Sequence, residues 1–240
     1  TTGVRHALTI PQQRAFMEHI ANHPVYCHWW PLFTVLLGTG CRIGEALGLR
    51  WDDLDYERRT ININHSLVYY PVGENRSSIQ HISKPKTDAG IRTIPMLDAV
   101  KDAFEMLREE QKETIEALGD MYENYNLVLA TSYGLPLGES YLRDKMQEVI
   151  DREGLPDVVF HSLRHTSVTY KLKLSGGDIK AVQGDSGHAQ ADMVTEVYGH
   201  ILDEDRKKNA QLIEDAFYKK ENLNPDMKRP DTGKKKIEVP

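Results

Sequence analysis

The sequence predicts an α+β fold that is mainly helical and contains a small antiparallel three-stranded β-sheet. In the first and last thirds of the chain, apolar residues recur at helical spacing, with glycine and proline residues between the helical segments. Between residues 60 and 96 the apolar period changes to two, in short segments rich in Ile, Val and Tyr. Hydrophobic residues make up 40% of the chain and charged residues 28%, as in folded globular proteins.

Capping and turn residues predict three helices in the first fifty residues. A capping-box pattern at Thr9 and Gln12 begins a helix that runs to about residue 22. The apolar run 28–37 predicts a buried helix, which we expect to end at the two glycines of the sequence GTG. A short third helix, 43–49, follows this turn, with Arg42 at its start.

The centre of the chain predicts the sheet and a long helix. Its strands are expected among the segments TININ, SLVYY, SIQHI and IRTIPM, with Lys84 and Lys86 in or beside the last hairpin turn. Asp98 is expected to cap a helix that runs to about residue 118. Acidic residues concentrate between 102 and 123, so we expect this segment to face away from any polyanion.

Helices are also predicted in the last hundred residues, after a buried extended segment, LVLA. They are expected at 139–152, 161–174, 178–183, from the pair Gly187-His188, at 193–198 and at 203–219.

Composition excludes several classes of protein. The formal charge of −6 argues against a protein that coats DNA uniformly, although Lys and Arg recur in patches. No apolar stretch is long enough for a membrane helix and the start lacks the apolar run of a signal peptide, so we expect a soluble, cytoplasmic protein. Cys27 and Cys41 are therefore expected to be buried free thiols.

Two arginines, two histidines and a tyrosine form a pattern that suits phosphate chemistry. His161 and Arg164 are three residues apart and share a helical face. Arg42 adds a second guanidinium, the side chain that best matches phosphate oxygens. His188 follows a glycine at an expected helix start, where backbone amides favour an anion. Tyr198 carries a phenol that needs its proton removed or its anion stabilised before it can attack.

These residues, with one lysine, match a family pattern in order: Arg42, Lys86, His161-Ser162-Leu163-Arg164, Gly187-His188 and Tyr198. Over residues 34–200 the sequence therefore resembles the catalytic domain of the tyrosine recombinases, the phage-integrase family. The segments SKPKTDAGIRTIPM and YGH are most similar to integrases of conjugative transposons of Gram-positive bacteria. One departure is Ser186, which stands where the family usually has Leu before the Gly-His pair.

The resemblance implies a site-specific DNA recombinase that supports integration and excision of a mobile element. Its tyrosine attacks a DNA phosphodiester to give a 3'-phosphotyrosyl intermediate, and strand exchange proceeds through a Holliday junction. No cofactor and no obligatory metal are implied. The implied roles are transition-state stabilisation by Arg42 and Arg164, protonation of the leaving oxygen by Lys86, proton transfer or positioning by His161, phosphate contact by His188 and nucleophilic attack by Tyr198.

The resemblance also implies partners and a domain organisation. The partners are double-stranded DNA, further copies of the chain in a tetramer during synapsis, and an accessory protein for excision. We expect residues 1–222 to form the catalytic domain and 223–240 a polar tail that is flexible or docks on a neighbouring protomer. The family's N-terminal DNA-binding domain is expected to be absent from this chain. A nucleoid-associated bacterial protein is the expected setting.

Alternatives remain open. The same cleavage chemistry serves DNA relaxation in type IB topoisomerases, and a non-catalytic DNA-binding module would also need a basic surface. His161 and His165, four residues apart, resemble a zinc helix, but HSLRH lacks the glutamate of the H-E-x-x-H pattern. Lys84 competes with Lys86 for the role of general acid.

Several residues near this pattern are predicted to be structural. Glu45, one turn beyond Arg42, is expected to support that arginine. His165 is expected to be a structural hydrogen-bonding residue, and Tyr141 and Tyr170 to be half-buried core aromatics. Lys171, Lys173 and Lys180 are expected on a solvated face that could contact the DNA backbone.

Overall fold

The computed structural model describes residues 8–72, 77–84, 90–155, 157–175 and 178–187. Its α-helices are α1 Ile10–Asn22, α2 Trp30–Thr39, α3 Ile43–Leu47, α4 Asp98–Leu118, α5 Glu139–Glu153, α6 Phe160–Leu174 and α7 Ile179–Ser186. Its β-strands are β1 Leu54–Asp55, β2 Thr60–Ile63, β3 Ser66–Val72, β4 Ser77–Ser83 and β5 Arg92–Pro95. The mainly helical α+β class is confirmed.

Several predictions concern residues outside this part of the chain. They are the lysine Lys86, the helices expected from Gly187-His188, at 193–198 and at 203–219, and the tail 223–240.

Local sequence explains how α1 begins. The Oγ1 atom of Thr9 accepts a hydrogen bond from the backbone N–H of Gln12 at 3.3 Å, and the Gln12 side chain accepts one from the Thr9 N–H at 2.9 Å. The predicted capping box is therefore confirmed. Further support comes from Leu8, whose backbone N–H donates to Thr166 of α6 at 2.8 Å.

Helix α2 is the centre of the core and packs against α4 and α6. It is buried on almost every side, as predicted, through residues Pro31, Leu32, Phe33, Val35 and Leu36.

The prediction that Gly38 and Gly40 end α2 is correct for Gly40 and wrong for Gly38. The helix continues through Gly38 to Thr39. Gly38 instead allows α4 to pack closely, because a Cβ at this position would overlap Cγ2 of Val100. The helix ends one residue later, where Gly40 adopts a left-handed φ of 71°.

The predicted three-stranded antiparallel sheet is present, in the order β1-β2-β5. Strands β2 and β5 pair in a register that places Ile61 opposite Ile94 and Ile63 opposite Arg92. The segments SLVYY and SIQHI form a separate hairpin, β3-β4. Strand β4 thus pairs with β3 rather than with β5, so the expected last hairpin is not formed, and Lys84 lies at the exit of β4.

Helix α4 begins with Asp98, but Asp98 does not cap it. The cap residue is Leu97, and Asp98 is the first helical residue, where its carboxylate pairs with Arg59. The inner stripe of α4 is buried at Val100, Ala103 and Phe104.

Two further predictions of burial need correction. Cys41 is a buried free thiol as predicted, but Cys27 is exposed. Tyr170 is half-buried, whereas Tyr141 is 50% exposed on α5. Among the described residues, no helix is both long enough and apolar enough to cross a membrane.

Candidate active site

Arg42 is held at the start of α3 by the turn that Gly40 makes and by one carboxylate. The backbone N–H of Arg42 donates to Oε2 of Glu45 at 2.9 Å, and its Nη1 donates to Oε1 of the same residue at 2.9 Å. The predicted support of Arg42 by Glu45 is confirmed. The Arg42 side chain is 47% exposed, so part of its guanidinium is accessible from solvent.

Arg164 lies on α6 and is buried, with a relative exposure of 3%. Its Nη1 donates to the carbonyl of Gly40 at 2.7 Å, and its Nη2 donates to the carbonyl of Ser186 at 2.7 Å. It therefore ties the turn before Arg42 to the end of α7. Ser186 itself is buried. Because Arg164 binds its backbone carbonyl, this contact does not depend on which side chain the residue carries.

Three arginines bind three consecutive carbonyls at the carboxyl end of α7. Nε of Arg92 donates to Asp185 at 2.7 Å, Arg164 donates to Ser186, and Nη2 of Arg42 reaches Gly187 at 3.4 Å. The partial negative charge of a helix carboxyl end favours such cationic partners. The cluster therefore fixes the backbone up to Gly187, the residue that precedes His188 in the sequence.

Arg92 is the residue of this cluster that the sequence interpretation missed. Its Nη2 and Nη1 donate to Oε2 and Oε1 of Glu45 at 2.9 and 3.2 Å, in a bidentate pair that is almost fully buried. A signal was available in the sequence: in the period-two segment IRTIPM, Arg92 shares its face with the buried residues Ile94 and Met96. A charged residue on the inner face of a strand requires a buried partner.

The charges of the cluster shift its pKa values. Burial, and then the charge of Arg42, lower the pKa of Arg164 to about 10, with Arg92 acting in the same direction. Burial opposes ionisation of Glu45, but the hydrogen bonds and charge of Arg92, together with Arg42, lower its pKa overall. Arg164 and Glu45 are therefore both charged at neutral pH. Three guanidinium groups face one carboxylate, and an anion would relieve their mutual repulsion.

His161 lies one turn before Arg164 on α6 and is half-buried. Its ring meets that of His165 edge-on, with 4.7 Å between ring centroids. Lys84 is exposed at the end of β4. The structure thus brings Arg42 and Arg164 to one cluster and places His161 on the same helix as Arg164. Lys86, His188 and Tyr198 lie outside the described residues, and their participation remains a prediction.

One group of side chains in the described ranges has the spacing of metal ligands: His19, His23 and Glu153, with donor atoms within 4.8 Å of one another. It does not include His161 or His165. The Nδ1 atom of His23 accepts hydrogen bonds from the backbone N–H groups of Val25 and Tyr26, at 3.1 and 3.2 Å. The ring proton of His23 therefore resides on Nε2, the atom that faces Glu153, which favours an ordinary polar contact over a metal ligand.

A cavity of about 590 Å³ lies on another part of the surface. Its lining residues come from α2 and the turn before it, from α4, and from α5 and the segment before it, and include Trp29, Gln111, Tyr122 and Tyr141. The three predicted site residues that the structure describes, Arg42, His161 and Arg164, do not line it. The arginine cluster is thus separate from this cavity.

The family model described as the phage integrase family matches residues 7–205. The chain belongs to the phage integrase family. The match includes all six residues of the predicted catalytic pattern, from Arg42 to Tyr198.

Similar members of the integrase family include transposon proteins. A tyrosine recombinase XerC-like protein of Caldanaerobacter subterraneus is 28% identical over 194 residues, covering 78% of this chain and 49% of that protein. The transposase from transposon Tn916 of Enterococcus faecalis is 30% identical over 201 residues, covering 80% of this chain and 47% of that protein. The chain therefore spans about half the length of these relatives.

Solved integrase-family structures share the fold. A structure of the Tn1549 transposon integrase in complex with a circular intermediate DNA has a TM-score of 0.72 and 26% sequence identity, covering 88% of this chain and 67% of that one. A crystal structure of XerA recombinase, 18% identical with a TM-score of 0.61, covers 86% of this chain and 66% of that one, and agrees in fold.

Proposed function

We propose that this chain is the catalytic domain of a site-specific DNA recombinase that integrates and excises a mobile element. The observation that carries the proposal is the arginine pair: Arg42 and Arg164 are fixed by adjacent carbonyls, Gly187 and Ser186, directly before His188. Family membership and the similarity to transposon integrases support the choice of DNA as substrate.

The cluster has the physical properties that a phosphodiester site needs. Guanidinium groups donate paired hydrogen bonds that match phosphate oxygens. Because Arg42 and Arg164 are held by the surrounding backbone before any ligand binds, little reorganisation accompanies charge development in the transition state. Arg42 is the more accessible of the two, and we propose that it contacts a non-bridging oxygen directly.

The chemical step is a transesterification. The Oη atom of Tyr198 attacks phosphorus, the bond from phosphorus to the 5' oxygen breaks, and a 3'-phosphotyrosyl bond forms. Lys86 supplies the proton that the leaving 5' oxygen takes up, and His161 assists removal of the phenol proton or positions the tyrosine. His188 donates to a phosphate oxygen. A 5'-hydroxyl of a second strand then reverses the step, so the bond energy is conserved without ATP.

Assembly follows from the same proposal. Strand exchange through a Holliday junction requires several copies on DNA, and a tetramer supplies four tyrosines. We propose that residues 1–222 form the catalytic domain, that 223–240 acts as a flexible or docking tail, and that an accessory protein directs excision. In this proposal the protein acts at the bacterial nucleoid, and a separate DNA-binding domain supplies additional DNA contacts.

Strand joining tests the proposal against DNA relaxation and passive binding. The protein is incubated with a pool of duplexes, each nicked and with randomised sequence around the nick, and then with a second duplex that offers a free 5'-hydroxyl. We expect joined strands of hybrid origin. Relaxation of a supercoiled plasmid without joined strands would instead indicate a topoisomerase, and binding without either product would indicate a non-catalytic module.

A further inference from the structure

Arg92 connects three elements of the candidate site through one side chain. It extends from β5, pairs with Glu45 of α3 through two nitrogens, and donates from Nε to the carbonyl of Asp185 in α7. Its Nη1 also reaches the carbonyl of Gly90 at 3.1 Å, on the connection from β4 to β5. The chain between residues 84 and 90 includes Lys86.

Both oxygens of the Glu45 carboxylate accept hydrogen bonds from Arg42 and Arg92. Oε1 accepts from Nη1 of Arg42 and Nη1 of Arg92, and Oε2 accepts from the backbone N–H of Arg42 and Nη2 of Arg92. Each oxygen therefore has two donors, the number that its lone pairs accommodate. Because Glu45 cannot rotate without breaking a bond to Arg92, the Arg42 guanidinium is held in one orientation.

We propose that Arg92 is a positioning residue for DNA cleavage, which fixes the direction of Arg42 through Glu45 and the backbone before His188 through Asp185. The inference rests on the proposed function, since it concerns the rate of the same chemical step. Arg92 itself is buried behind Glu45 and contacts no DNA in this scheme. Its removal should affect the rate of cleavage more than the affinity for DNA.

Two substitutions separate geometry from charge. Arg92→Lys keeps a positive charge beside Glu45 but cannot form the planar bidentate pair while also donating to Asp185. Arg92→Gln removes the charge. Arg59→Gln is the matched control, because Arg59 also binds a carbonyl and a carboxylate near the same sheet, through Met96 and Asp98, and in the described part of the chain neither partner is hydrogen-bonded to Arg42 or Glu45.

The first measurement is the rate of covalent adduct formation on the nicked duplex pool at saturating DNA, together with the DNA concentration for half-maximal rate. We expect Arg92→Lys to lower the saturating rate about 100-fold, since small displacements of catalytic groups have effects of this size. The half-maximal concentration should change less than about threefold. Because the substitution weakens a buried ion pair, all rates are compared at a temperature well below the Tm of every variant.

A double-mutant cycle with Glu45→Gln tests whether the two residues act as a unit. We expect the double variant Glu45→Gln/Arg92→Gln to cleave no more slowly than the slower single variant, because either change alone already releases Arg42. Additive losses in the cycle would contradict the proposal. So would an Arg92→Lys variant whose saturating rate equals that of Arg59→Gln.

A second measurement does not depend on activity. Nitrogen-15 NMR of the arginine side chains reports rotation of the Arg42 guanidinium, which should be slow in the original chain and fast in Arg92→Lys, but unchanged in Arg59→Gln. If the original chain forms no adduct while this difference is seen, the proposed function fails and the positioning of Arg42 by Arg92 stands. Unchanged Arg42 rotation in Arg92→Lys would overturn the positioning proposal.

Discussion

Arg42 and Arg164 are chemically identical side chains in different surroundings. Arg164 is buried and donates to two carbonyls, whereas half of the Arg42 side chain is exposed. In the proposed function the buried arginine therefore serves both folding and chemistry, while the exposed arginine is available mainly for a ligand. This difference predicts separable effects of the same substitution at the two positions.

We expect Arg164→Lys to lower the free energy of unfolding by about 1–3 kcal/mol, because the single ammonium nitrogen of lysine cannot replace both Nη atoms and leaves a buried carbonyl unpaired. Arg42→Lys should change it by less than about 1 kcal/mol. Both variants should lose DNA cleavage. Urea unfolding of the two variants measures the difference, and equal destabilisation would contradict the assigned roles.

The lowered pKa of Glu45 predicts that the free energy of unfolding decreases in acid. Its pKa in the folded chain lies below its ordinary value of 4.5, so the ionised carboxylate stabilises the fold above that pH. As the pH falls below 4.5 and through the lowered folded-state pKa, this stabilisation is lost. Glu45→Gln should therefore unfold more readily at neutral pH and show a shallower loss of stability below about pH 4.5, measured by urea unfolding at several pH values.

The residues of the cluster differ in how readily sequence reveals them. Glu45 could be predicted as the partner of Arg42 because the two are three residues apart on one helix start. Arg92 could not be paired with Glu45 in the same way, because 47 residues separate them and only the packing of β5 beside α3 brings them together. The alternation of IRTIPM indicated that Arg92 faces inward, but not which carboxylate it meets.

Among the elements, α2 and α4 show how one glycine sets the distance between helices. Gly38 lies inside α2, directly against Val100 of α4. The helical pattern correctly predicted both helices. The pattern placed the end of α2 before Gly38, because glycine is a common helix stop signal. The close approach of α4, which explains the glycine, cannot be predicted from local sequence.

We expect Gly38→Ala to destabilise the fold by about 1–3 kcal/mol, because the new methyl group would overlap the Val100 side chain. Gly184→Ala in α7 is the matched control. A Cβ at Gly184 meets nothing within 4 Å, so alanine there should raise stability by up to about 1 kcal/mol through helix propensity. Thermal unfolding compares the two, and a neutral Gly38→Ala would show that α4 moves aside easily.

The β-strands show that a sequence pattern can locate strands without predicting how they pair. The period-two pattern identified the strand segments of this region, apart from the two-residue strand β1. It did not reveal that, among the described strands, β3 and β4 form a separate hairpin while β2 pairs with β5. Strand period indicates which face is buried but not which strand is the neighbour. The position of Lys84 at the exit of β4 follows from that pairing.

At the scale of the whole molecule, charge is unevenly distributed despite a formal net charge of −6. Helix α4 exposes acidic residues, including Glu109, Glu113 and Glu116. Lys173 and Lys180 are exposed on α6 and α7, the helices that also carry Arg164 and the carbonyls it binds. We therefore expect DNA to approach the side of α6 and α7.

Charge-neutralising variants test this expectation. Lys173→Gln and Lys180→Gln should each weaken DNA binding and reduce the slope of log affinity against log salt by about 1, if each contacts one phosphate. The triple variant Glu109→Gln/Glu113→Gln/Glu116→Gln should leave the slope unchanged within about 0.5. A salt titration of DNA binding measures both slopes. A larger change of slope in the glutamate variant than in the lysine variants would contradict the expectation that DNA binds on the side of α6 and α7.

The proposed function depends above all on one step, the covalent attachment of DNA to Tyr198. The most direct measurement traps the adduct on the nicked duplex pool, resolves it under SDS, and identifies the attached residue by mass spectrometry of its peptides. We expect DNA to be joined through its 3' phosphate to Tyr198. The adduct should be absent in Tyr198→Phe and retained in the control Tyr170→Phe. An adduct that persists in Tyr198→Phe, or no adduct with the original chain, would contradict the proposed function.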